Sequence, residues 1–256
     1  MKIVIAGYGK MGHEIERIAL ERGHTIAGFY NSSTNWETAI LPECDAVIDF
    51  STPDTAPVIV NRCFELNIPV ISGTTGWNDK VLLAREKAFR ESKTFFYASN
   101  FSIGVNILFE VNRKLASFLC NLHDYEVSIN ETHHVHKKDA PSGTAITIAE
   151  GIIKACKRYE SWMLYDITAD TESSHETMGV KDTEQQVKPV ITISSERIGE
   201  VPGTHCIKWE SKVDTIELKH TAHSRTGFAY GAVYAAEFIM GKTGVFGMSD
   251  LLQLGE

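Results

Sequence analysis

Short apolar runs in the first half of the chain alternate with stretches whose apolar residues recur every three or four positions. The runs lie at 3–6, 25–30, 46–50, 68–72 and 95–98. Continuous apolar runs are typical of parallel strands buried on both faces, and the intervening spacing is that of amphipathic helices. Strands that alternate with helices predict a doubly wound parallel sheet, so the expected fold is an N-terminal Rossmann-type α/β domain.

The pattern changes near Gly104, where a long helical stretch begins. Alternating apolar and polar residues follow it at 125–129, 190–194, 205–209 and 214–220. Neighbouring strands with short turns indicate an α+β second domain built on a mixed or antiparallel sheet.

These patterns predict two domains, a dinucleotide-binding domain at 1–103 plus 226–256 and a second domain at 104–225. Helical spacing returns between 229 and 240, and we expect that helix to pack on the first domain. Residues 158–189 are polar and poorly periodic, which predicts an exposed surface loop.

A G-x-G-x-x-G turn, Gly7-Tyr8-Gly9-Lys10-Met11-Gly12, separates the first apolar run from a helical stretch that ends near Gly23. In a dinucleotide site the first glycine permits the tight turn and the second lets the pyrophosphate approach the backbone. The third glycine allows the helix to pack closely on the strand. Strand, turn and helix occur here in the required order, so the turn predicts a nicotinamide dinucleotide site rather than a merely structural turn.

Small polar loops follow three other runs, at 51–53, 73–76 and 99–102. Loops at the carboxyl ends of parallel strands line the ligand crevice, so we expect cofactor contacts there. Asn31-Ser32-Ser33 follows the second run, where an NAD-specific site usually carries Asp or Glu. The missing carboxylate removes repulsion toward a 2′-phosphate, but no Arg is present to bind one. NADPH or mixed use is favoured, and the choice between NADH and NADPH stays open.

Residues 130–147 carry the densest set of reactive groups. Three histidines and two lysines fall within 133–138, directly after an alternating run. Pro141-Ser142-Gly143-Thr144 then leads into a helical pattern, with Ser142 or Asp139 as the N-cap and free backbone N–H groups in the first turn. A helix N-terminus attracts anions, and imidazoles exchange protons near neutral pH. The stretch therefore predicts a site for a small, multiply charged acid where proton transfer occurs.

A metal site is the main alternative for His133, His134 and His136. On an extended strand His134 and His136 share a face while His133 points away, whereas metal ligands must converge. No cysteine pair or H-E-x-x-H motif adds ligands. We therefore predict no metal.

Composition narrows the class of protein. The 256 residues are 43% hydrophobic and 23% charged, as in an ordinary globular protein, and no apolar run is long enough to span a bilayer. The chain enters a strand-like run without a signal peptide, so we expect a cytoplasmic protein. A net charge of −8 argues against nucleic acid as the main partner. Five scattered cysteines without C-x-x-C spacing predict buried free thiols.

The segment 131–145, Glu-Thr-His-His-Val-His-Lys-Lys-Asp-Ala-Pro-Ser-Gly-Thr-Ala, resembles the motif E-x-H-H-x-x-K-x-D-x-P-S-G-T-A of the dihydrodipicolinate reductase family. Supporting matches cover nearly the whole chain, at 7–12, 49–51, 73–76, 98–102, 197–205 and 220–229. The departures lie in the cofactor half: a shorter glycine loop, no acidic residue after the second strand, and Thr52 where other members carry Arg. They bear on nucleotide preference rather than on the reaction.

The resemblance implies reduction of 4-hydroxy-tetrahydrodipicolinate, a cyclic dicarboxylate, by NADH or NADPH in diaminopimelate and lysine biosynthesis. It implies that His133 is the catalytic acid, that Lys137 is the second essential cation, and that His134, Gly143 and Thr144 bind the substrate carboxylates. The implied cofactor contacts are Gly7, Tyr8, Gly9, Lys10, Met11, Gly12, Asn31, Gly73, Thr74, Thr75, Ala98, Ser99, Asn100 and Phe101. The second domain would bind substrate and build a homotetramer through its sheets.

Two other functions stay open at this point. One is a different two-domain Rossmann dehydrogenase that acts on a small amino or hydroxy acid or on a sugar, without a requirement for a dicarboxylate. The other is a nucleotide-sensing module that binds cofactor but turns over no substrate. The proton-transfer groups at 133–138 disfavour a sensor, because sensing requires none of them. Arg197 and Arg225 are each candidates for either a structural ion pair or the active site, and no role is assigned to His220.

Overall fold

The computed structural model describes residues 1–165 and 188–254. The chain divides into two compact units, Met1–Asn106 with Ser224–Glu256, and Ile107–His223. Each unit contains its own sheet and its own hydrophobic core. Of the described residues, none lies in a helix with the length and apolar character needed to cross a bilayer.

The first unit is built on a six-stranded parallel sheet. Its strands are β1 (Lys2–Ala6), β2 (Thr25–Tyr30), β3 (Ala46–Asp49), β4 (Val70–Ser72), β5 (Thr94–Tyr97) and β11 (Gly244–Phe246), in the order β11-β5-β4-β3-β1-β2. Every residue of β3 and β4 is buried, and so is every residue of β1 after Lys2. This two-sided burial confirms the parallel sheet that the continuous apolar runs predict.

Helices cover both faces of this sheet. They are α1 (Lys10–Glu21), α2 (Ala56–Glu65), α3 (Asn78–Arg90), α6 (Thr226–Phe238) and α7 (Met248–Leu252). Successive side chains of a strand point to opposite faces. Ile3 and Ile5 of β1 therefore pack with α1, α6 and α7, whereas Val4 and Ala6 pack with α2 and α3. The unit is a doubly wound α/β domain, and α6 packs on it as predicted.

The second unit is built on a mixed five-stranded sheet. Its strands are β6 (Glu126–His133), β7 (Trp162–Tyr165), β8 (Ile191–Arg197), β9 (Thr204–Glu210) and β10 (Thr215–Thr221), in the order β10-β9-β6-β8-β7. Strands β6, β8 and β7 run parallel to one another, and β9 runs antiparallel to both β6 and β10. This confirms the predicted α+β unit with a mixed sheet.

Alternation along β6 determines which of its residues reach the core. Val127 and Ile129 are buried in a cluster that includes Ile148 and Ile152 of α5 (Gly143–Ala155) and residues of α4 (Ile103–Leu119). Glu131 and His133 continue the same period of two and are also buried, 1% and 7% exposed. The strand therefore places a carboxylate and an imidazole on the face that the helices cover.

Two sequence-based expectations are wrong. Cys120, just after α4, and Cys156, at the end of α5, form a disulfide with their Cα atoms 5.1 Å apart, because the packing of the two helices brings their ends together. Within the stretch expected to be an exposed loop, Trp162–Tyr165 is strand β7 at the edge of the sheet. Residues 166–187 of that predicted loop lie outside the described residues.

Candidate active site

The glycine turn of the first unit is shaped by close backbone contacts. Gly7 has φ +88°, and a Cβ there would lie 2.2 Å from the carbonyl oxygen of Phe50. A Cβ on Gly12 would lie 2.7 Å from the carbonyl oxygen of Gly7. A Cβ on Gly9, by contrast, would meet nothing within 4 Å. Gly7 and Gly12 are therefore required by the fold, whereas the space above Gly9 is open to a ligand.

Helix α1 begins directly after Gly9, and its first turn contains no acidic residue and receives no side-chain cap. Its first backbone N–H groups and the positive end of its dipole suit an anion. Lys10 and Met11 belong to this first turn, together with Gly12. The predicted turn residues therefore provide what a pyrophosphate needs.

A pocket of about 320 Å³ opens beside this turn at the carboxyl ends of β1, β2 and β3. Its lining residues carry no formal charge and are Gly7, Tyr8, Gly9, Asn31, Ser32, Trp36, Phe50, Ser51, Thr52 and Thr55. The Asn31 side chain accepts hydrogen bonds from the backbone N and the Oγ of Ser33, at 2.9 and 2.6 Å. The pocket suits the ribose and adenine of a dinucleotide, and its walls contain neither a carboxylate nor a cation to discriminate NADH from NADPH.

Asp49, at the end of β3, connects the loops beside this pocket. Its carboxylate accepts hydrogen bonds from Ser72 Oγ at 2.7 Å, Thr74 Oγ1 at 3.0 Å and the backbone N–H of Ser51 at 3.0 Å. Burial raises the pKa of Asp49, and these hydrogen bonds oppose the increase. The predicted cofactor residue Thr74 therefore has its side chain engaged in the loop network, whereas Thr75 is exposed.

The loop after β5 contains four predicted cofactor residues in different environments. Ser99 is exposed, and Ala98 is 8% exposed. Asn100 accepts a hydrogen bond from the backbone N–H of Ser102 at 2.9 Å. Phe101 is 1% exposed and packs against Phe96, with ring centroids 5.7 Å apart. Phe101 therefore belongs to the core of the unit.

In the second unit, His133 is the last residue of β6 and lies opposite Arg197 of β8. Lys137 follows in the next turn, and its Nζ contacts both carboxylate oxygens of Asp139 at 2.9 Å. His134 is half-buried, whereas His136 is exposed with its Nε2 3.1 Å from Glu200. Within this unit, the predicted acid and the predicted cation thus lie on adjoining segments.

Helix α5 begins immediately after Ser142, whose Oγ accepts the backbone N–H of Ala145 at 3.2 Å. Ser142 is therefore the N-cap, and the alternative, Asp139, instead pairs with Lys137. Gly143 is exposed, and a Cβ there would meet nothing within 4 Å. With Thr144 it forms the first turn of a helix whose N-terminus favours an anion.

Glu131 is the most highly connected charged group of this site. Its Oε1 accepts hydrogen bonds from the backbone N–H of Ser142 at 3.0 Å, Ser195 Oγ at 2.8 Å and Arg197 Nη2 at 3.3 Å. Its Oε2 lies 3.5 Å from His133 Nδ1 and 3.6 Å from His205 Nε2. Burial alone would raise the pKa of Glu131, but the nearby His205 imidazole and the hydrogen bonds from Ser142 and Ser195 hold it well below its ordinary range. Glu131 is therefore ionised.

Burial lowers the pKa of His133 to about 4, because a charged imidazole loses its hydration there. The Glu131 carboxylate opposes this shift, whereas the neighbouring His205, Lys137 and Arg197 add to it. Without a ligand, the imidazole is neutral near pH 7.

The three histidines considered as metal ligands differ in exposure, from buried His133 to exposed His136. A different group, Glu131, His133 and His205, places its potential ligand atoms within 4.8 Å of one another among the described residues. Arg197 already contacts the carboxylate of that group.

Sequence reasoning assigned no role to Glu131 or His205 and left Arg197 undecided. Glu131 belongs to the family motif and continues the alternation of buried residues along β6, and these two features of the sequence could have identified it. Arg197 donates to the carbonyl oxygen of Lys137 as well as to Glu131. His205 is paired opposite Glu131 on the neighbouring strand β9.

The sequence is similar to known proteins over nearly its whole length. Family models described as dihydrodipicolinate reductase, N-terminus, and dihydrodipicolinate reductase, C-terminus, match residues 1–101 and 104–252. A 4-hydroxy-tetrahydrodipicolinate reductase of Christiangramia forsetii is 43% identical over 252 residues, 98% of each chain. Its counterpart from Staphylococcus saprophyticus is 32% identical over 260 residues, 98% of this chain and 100% of that protein.

A solved structure of a dipicolinate-bound dihydrodipicolinate reductase from Paenisporosarcina sp. TG-14 superposes with a TM-score of 0.72. The superposition covers 96% of this chain and 97% of that chain at 19% identity. At that identity the likeness concerns the fold, and it confirms a parallel-sheet α/β unit together with a mixed-sheet unit.

Proposed function

The chain belongs to the dihydrodipicolinate reductase family, and we propose on this basis that it reduces 4-hydroxy-tetrahydrodipicolinate to tetrahydrodipicolinate with NADH or NADPH. The reaction belongs to diaminopimelate and lysine biosynthesis. The observation that carries the proposal is a buried imidazole beside a lysine and a helix N-terminus, in a chain that matches the family models at both ends.

The first unit is the NAD(P)-binding domain. The open space above Gly9 and the uncapped start of α1 fit a pyrophosphate. Bound NADH or NADPH supplies the hydride. Gly7 to Gly12, Asn31, the loop 73–75 and the loop 98–101 would hold the cofactor, with Phe101 contributing by supporting its loop from the core.

The second unit would hold the substrate by its two carboxylates. Lys137 would bind one of them through its ammonium group, either while that group still contacts Asp139 or after it has left Asp139. The backbone N–H groups of Gly143 and Thr144 and the side chain of His134 would bind the other. These groups suit a dicarboxylate because an ammonium and a helix N-terminus both stabilise negative charge.

His133 would donate the proton that the reduced substrate accepts. An imidazole that is neutral in the free protein gains its proton when negative charge is placed beside it. General acid catalysis of this kind contributes about 10²–10⁴ in rate. Lys137 would stabilise the charge that develops on the substrate before the proton arrives.

We also propose a homotetramer that forms through the second-unit sheet. The face of this sheet opposite its helices carries partly exposed residues such as Ser128, Thr192 and Lys208, and the Lys208 ammonium pairs with Glu210 at 2.8 Å. A second sheet could pack on such a face with the charge of Lys208 already paired. Light scattering after size-exclusion chromatography tests this proposal, which predicts four chains per particle.

An assay with freshly generated 4-hydroxy-tetrahydrodipicolinate, following nicotinamide absorbance, tests the function. We expect substrate-dependent oxidation of NADH or NADPH, and inhibition by pyridine-2,6-dicarboxylate. A panel of small amino acids, hydroxy acids and sugars, run in the oxidative direction with NAD⁺ and NADP⁺, is the control. Turnover confined to that panel would establish a different dehydrogenase, and cofactor binding without turnover would establish a sensor.

A further inference from the structure

The two carboxylate oxygens of Glu131 face different groups and have different roles. Three donors converge on Oε1: the backbone N–H of Ser142, the hydroxyl of Ser195 and the guanidinium of Arg197. They come from the start of α5 and the end of β8. This oxygen therefore links three segments of the second unit, and its partners leave the other oxygen facing the imidazoles.

Oε2 of Glu131 and Nδ1 of His133 are both fully buried, and neither has a conventional hydrogen bond to any described residue. They lie 3.5 Å from each other. An unsatisfied buried polar atom destabilises the folded protein, and an unsatisfied ionised carboxylate does so more strongly. One proton on Nδ1, directed at Oε2, satisfies both atoms at once.

We propose that Glu131 is a positioning residue that accepts the Nδ1–H of His133, fixes the tautomer of that imidazole, and thereby makes Nε2 the nitrogen that carries the catalytic proton. The inference rests on the proposed function, in which His133 is the acid. It adds a specific role for Glu131, a residue that does not itself contact the reacting atoms.

The surroundings of Nε2 agree with this assignment. A Cβ on Gly203 would lie 3.1 Å from His133 Nε2, and Gly203 has φ +152°. The glycine therefore leaves the Nε2 edge of the ring without a side chain against it. None of the described residues forms a hydrogen bond with Nε2, so this nitrogen is available for a ligand while Nδ1 faces the carboxylate.

A shared proton accounts for this cluster better than a metal ion does. The ligand atoms of Glu131, His133 and His205 lie close enough for a metal. However, the guanidinium of Arg197 is 3.3 Å from the same carboxylate, and Lys137 is near enough to depress the pKa of His133. A divalent cation here would be repelled by both groups, whereas a proton on Nδ1 adds no charge to the neutral ring.

The titration of His133 depends on groups from every element around it. They are Glu131 on β6, Arg197 on β8, His205 on β9, and Lys137 in the turn after β6. Of these, only Glu131 is negative. Removing its charge should therefore make the imidazolium harder to form.

The variant Glu131→Gln separates the two tasks. The Gln carbonyl oxygen should take the place of Oε1, because three donors converge there, which leaves the Gln amide NH₂ facing His133 Nδ1. An amide donates, so Nδ1 must become the acceptor and the ring proton must move to Nε2. The matched control is Glu196→Gln, the same change on strand β8: among the described residues its carboxylate accepts a hydrogen bond from the Thr132 hydroxyl at 3.0 Å and pairs with no imidazole.

The test is ¹⁵N NMR of histidine-labelled protein, with His133→Gln to assign the signal, on metal-free samples and after addition of Zn²⁺. We expect the Nδ1–H tautomer in the unaltered protein and in Glu196→Gln, and the Nε2–H tautomer with a lower pKa in Glu131→Gln. An Nε2–H tautomer in the unaltered protein would overturn the proposal. So would an unchanged His133 signal in folded Glu131→Gln, or stoichiometric Zn²⁺ already bound to the protein as purified.

Kinetics give a second readout. Glu131→Gln should lower kcat by at least about tenfold and displace the pH profile to lower pH, while KM for NADH or NADPH stays unchanged. Glu131→Asp should recover part of the rate because it restores the charge. If Glu131→Gln does not fold, Glu131→Asp must still show an altered His133 pKa, and an unaltered pKa there would contradict the proposal. The NMR result requires no turnover, so it stands or fails independently of the proposed reaction.

Discussion

Binding of pyridine-2,6-dicarboxylate should draw close to one proton from solvent onto His133. The perturbation is the ligand itself, a stable mimic of the proposed substrate class. In the free protein, burial lowers the pKa of His133 to about 4. At pH 5.5 to 6 the neutral ring therefore outnumbers the imidazolium by roughly 30-fold or more. A dianion bound beside the ring favours the imidazolium and must raise its pKa.

The size of the shift follows from Coulomb's law. One carboxylate at about 4 Å in a partly buried site with an effective dielectric constant of about 20 contributes roughly 4 kcal/mol. At 1.36 kcal/mol per pKa unit, this corresponds to about three units. The pKa of His133 in the complex should therefore lie near about 7, close to the pH at which an enzyme acid works best.

The pH dependence has a definite sign. Below about pH 4, both free and bound protein carry the proton, so binding takes up none. Between the free value and the bound value of about 7, only the complex carries it, and uptake approaches one. Above about pH 8, neither form is protonated, and uptake falls again.

Isothermal titration calorimetry in buffers of different ionisation enthalpy measures this uptake directly. The control is His133→Gln, which keeps a polar side chain but cannot take up the proton and also corrects for titration of the ligand. Equal proton uptake by the variant and the unaltered protein between pH 5 and 7 would show that His133 is not the group that gains the proton.

Three further predictions concern binding and folding. Lys137→Ala should lower kcat and raise KM for substrate by about tenfold or more each, in steady-state assays where the exposed neighbour substitution Lys138→Ala changes neither. Gly9→Ala should unfold in urea like the unaltered protein, because its Cβ meets only open space, yet it should bind NADH more weakly because that Cβ occupies the space of the pyrophosphate. Gly7→Ala should lower the free energy of unfolding by about 3 kcal/mol or more, because its Cβ would meet a backbone oxygen at 2.2 Å and its φ is +88°. Asp49→Ala should destabilise the first unit by about 1–3 kcal/mol in urea and raise KM for cofactor, since Ser72, Thr74 and Ser51 lose their shared acceptor; normal cofactor binding by that variant would contradict the role given to the loop network.

Much of the fold follows from local sequence. The run Ile3–Ala6 is buried on both faces because it is the interior of a parallel sheet, and its continuous apolar character is sufficient to predict this. Strand β11 could not be predicted in the same way. Its three residues, Gly244–Phe246, pair only with β5 at the sheet edge and are only partly buried, so they carry no periodic signal.

The disulfide and strand β7 required tertiary information. Cys120 and Cys156 are 36 residues apart, and only the packing of α4 and α5 brings them together. Trp162–Tyr165 has one half-buried and three exposed residues, so its pairing with β8 leaves no apolar alternation to detect.

Some residues of the candidate site could be predicted from a local motif, and others could not. His133, Lys137 and the helix start at Ser142 lie within one short segment, so a sequence motif can identify them together. Glu131 meets Ser195 and His205 only through the register of β6 with β8 and β9. Strand register depends on the whole sheet, and residues so far apart in the chain give no local sign of it. The role of Glu131 therefore required the structure.

The rate of reduction by His133→Gln tests the central claim most directly. Measured with 4-hydroxy-tetrahydrodipicolinate and saturating NADH or NADPH, kcat should fall by about 10²–10⁴ while KM changes little, because the variant loses proton donation but keeps the carboxylate contacts. His136→Gln, the same change at an exposed histidine three residues along, should retain full activity. Undiminished kcat in His133→Gln would show that another group donates the proton.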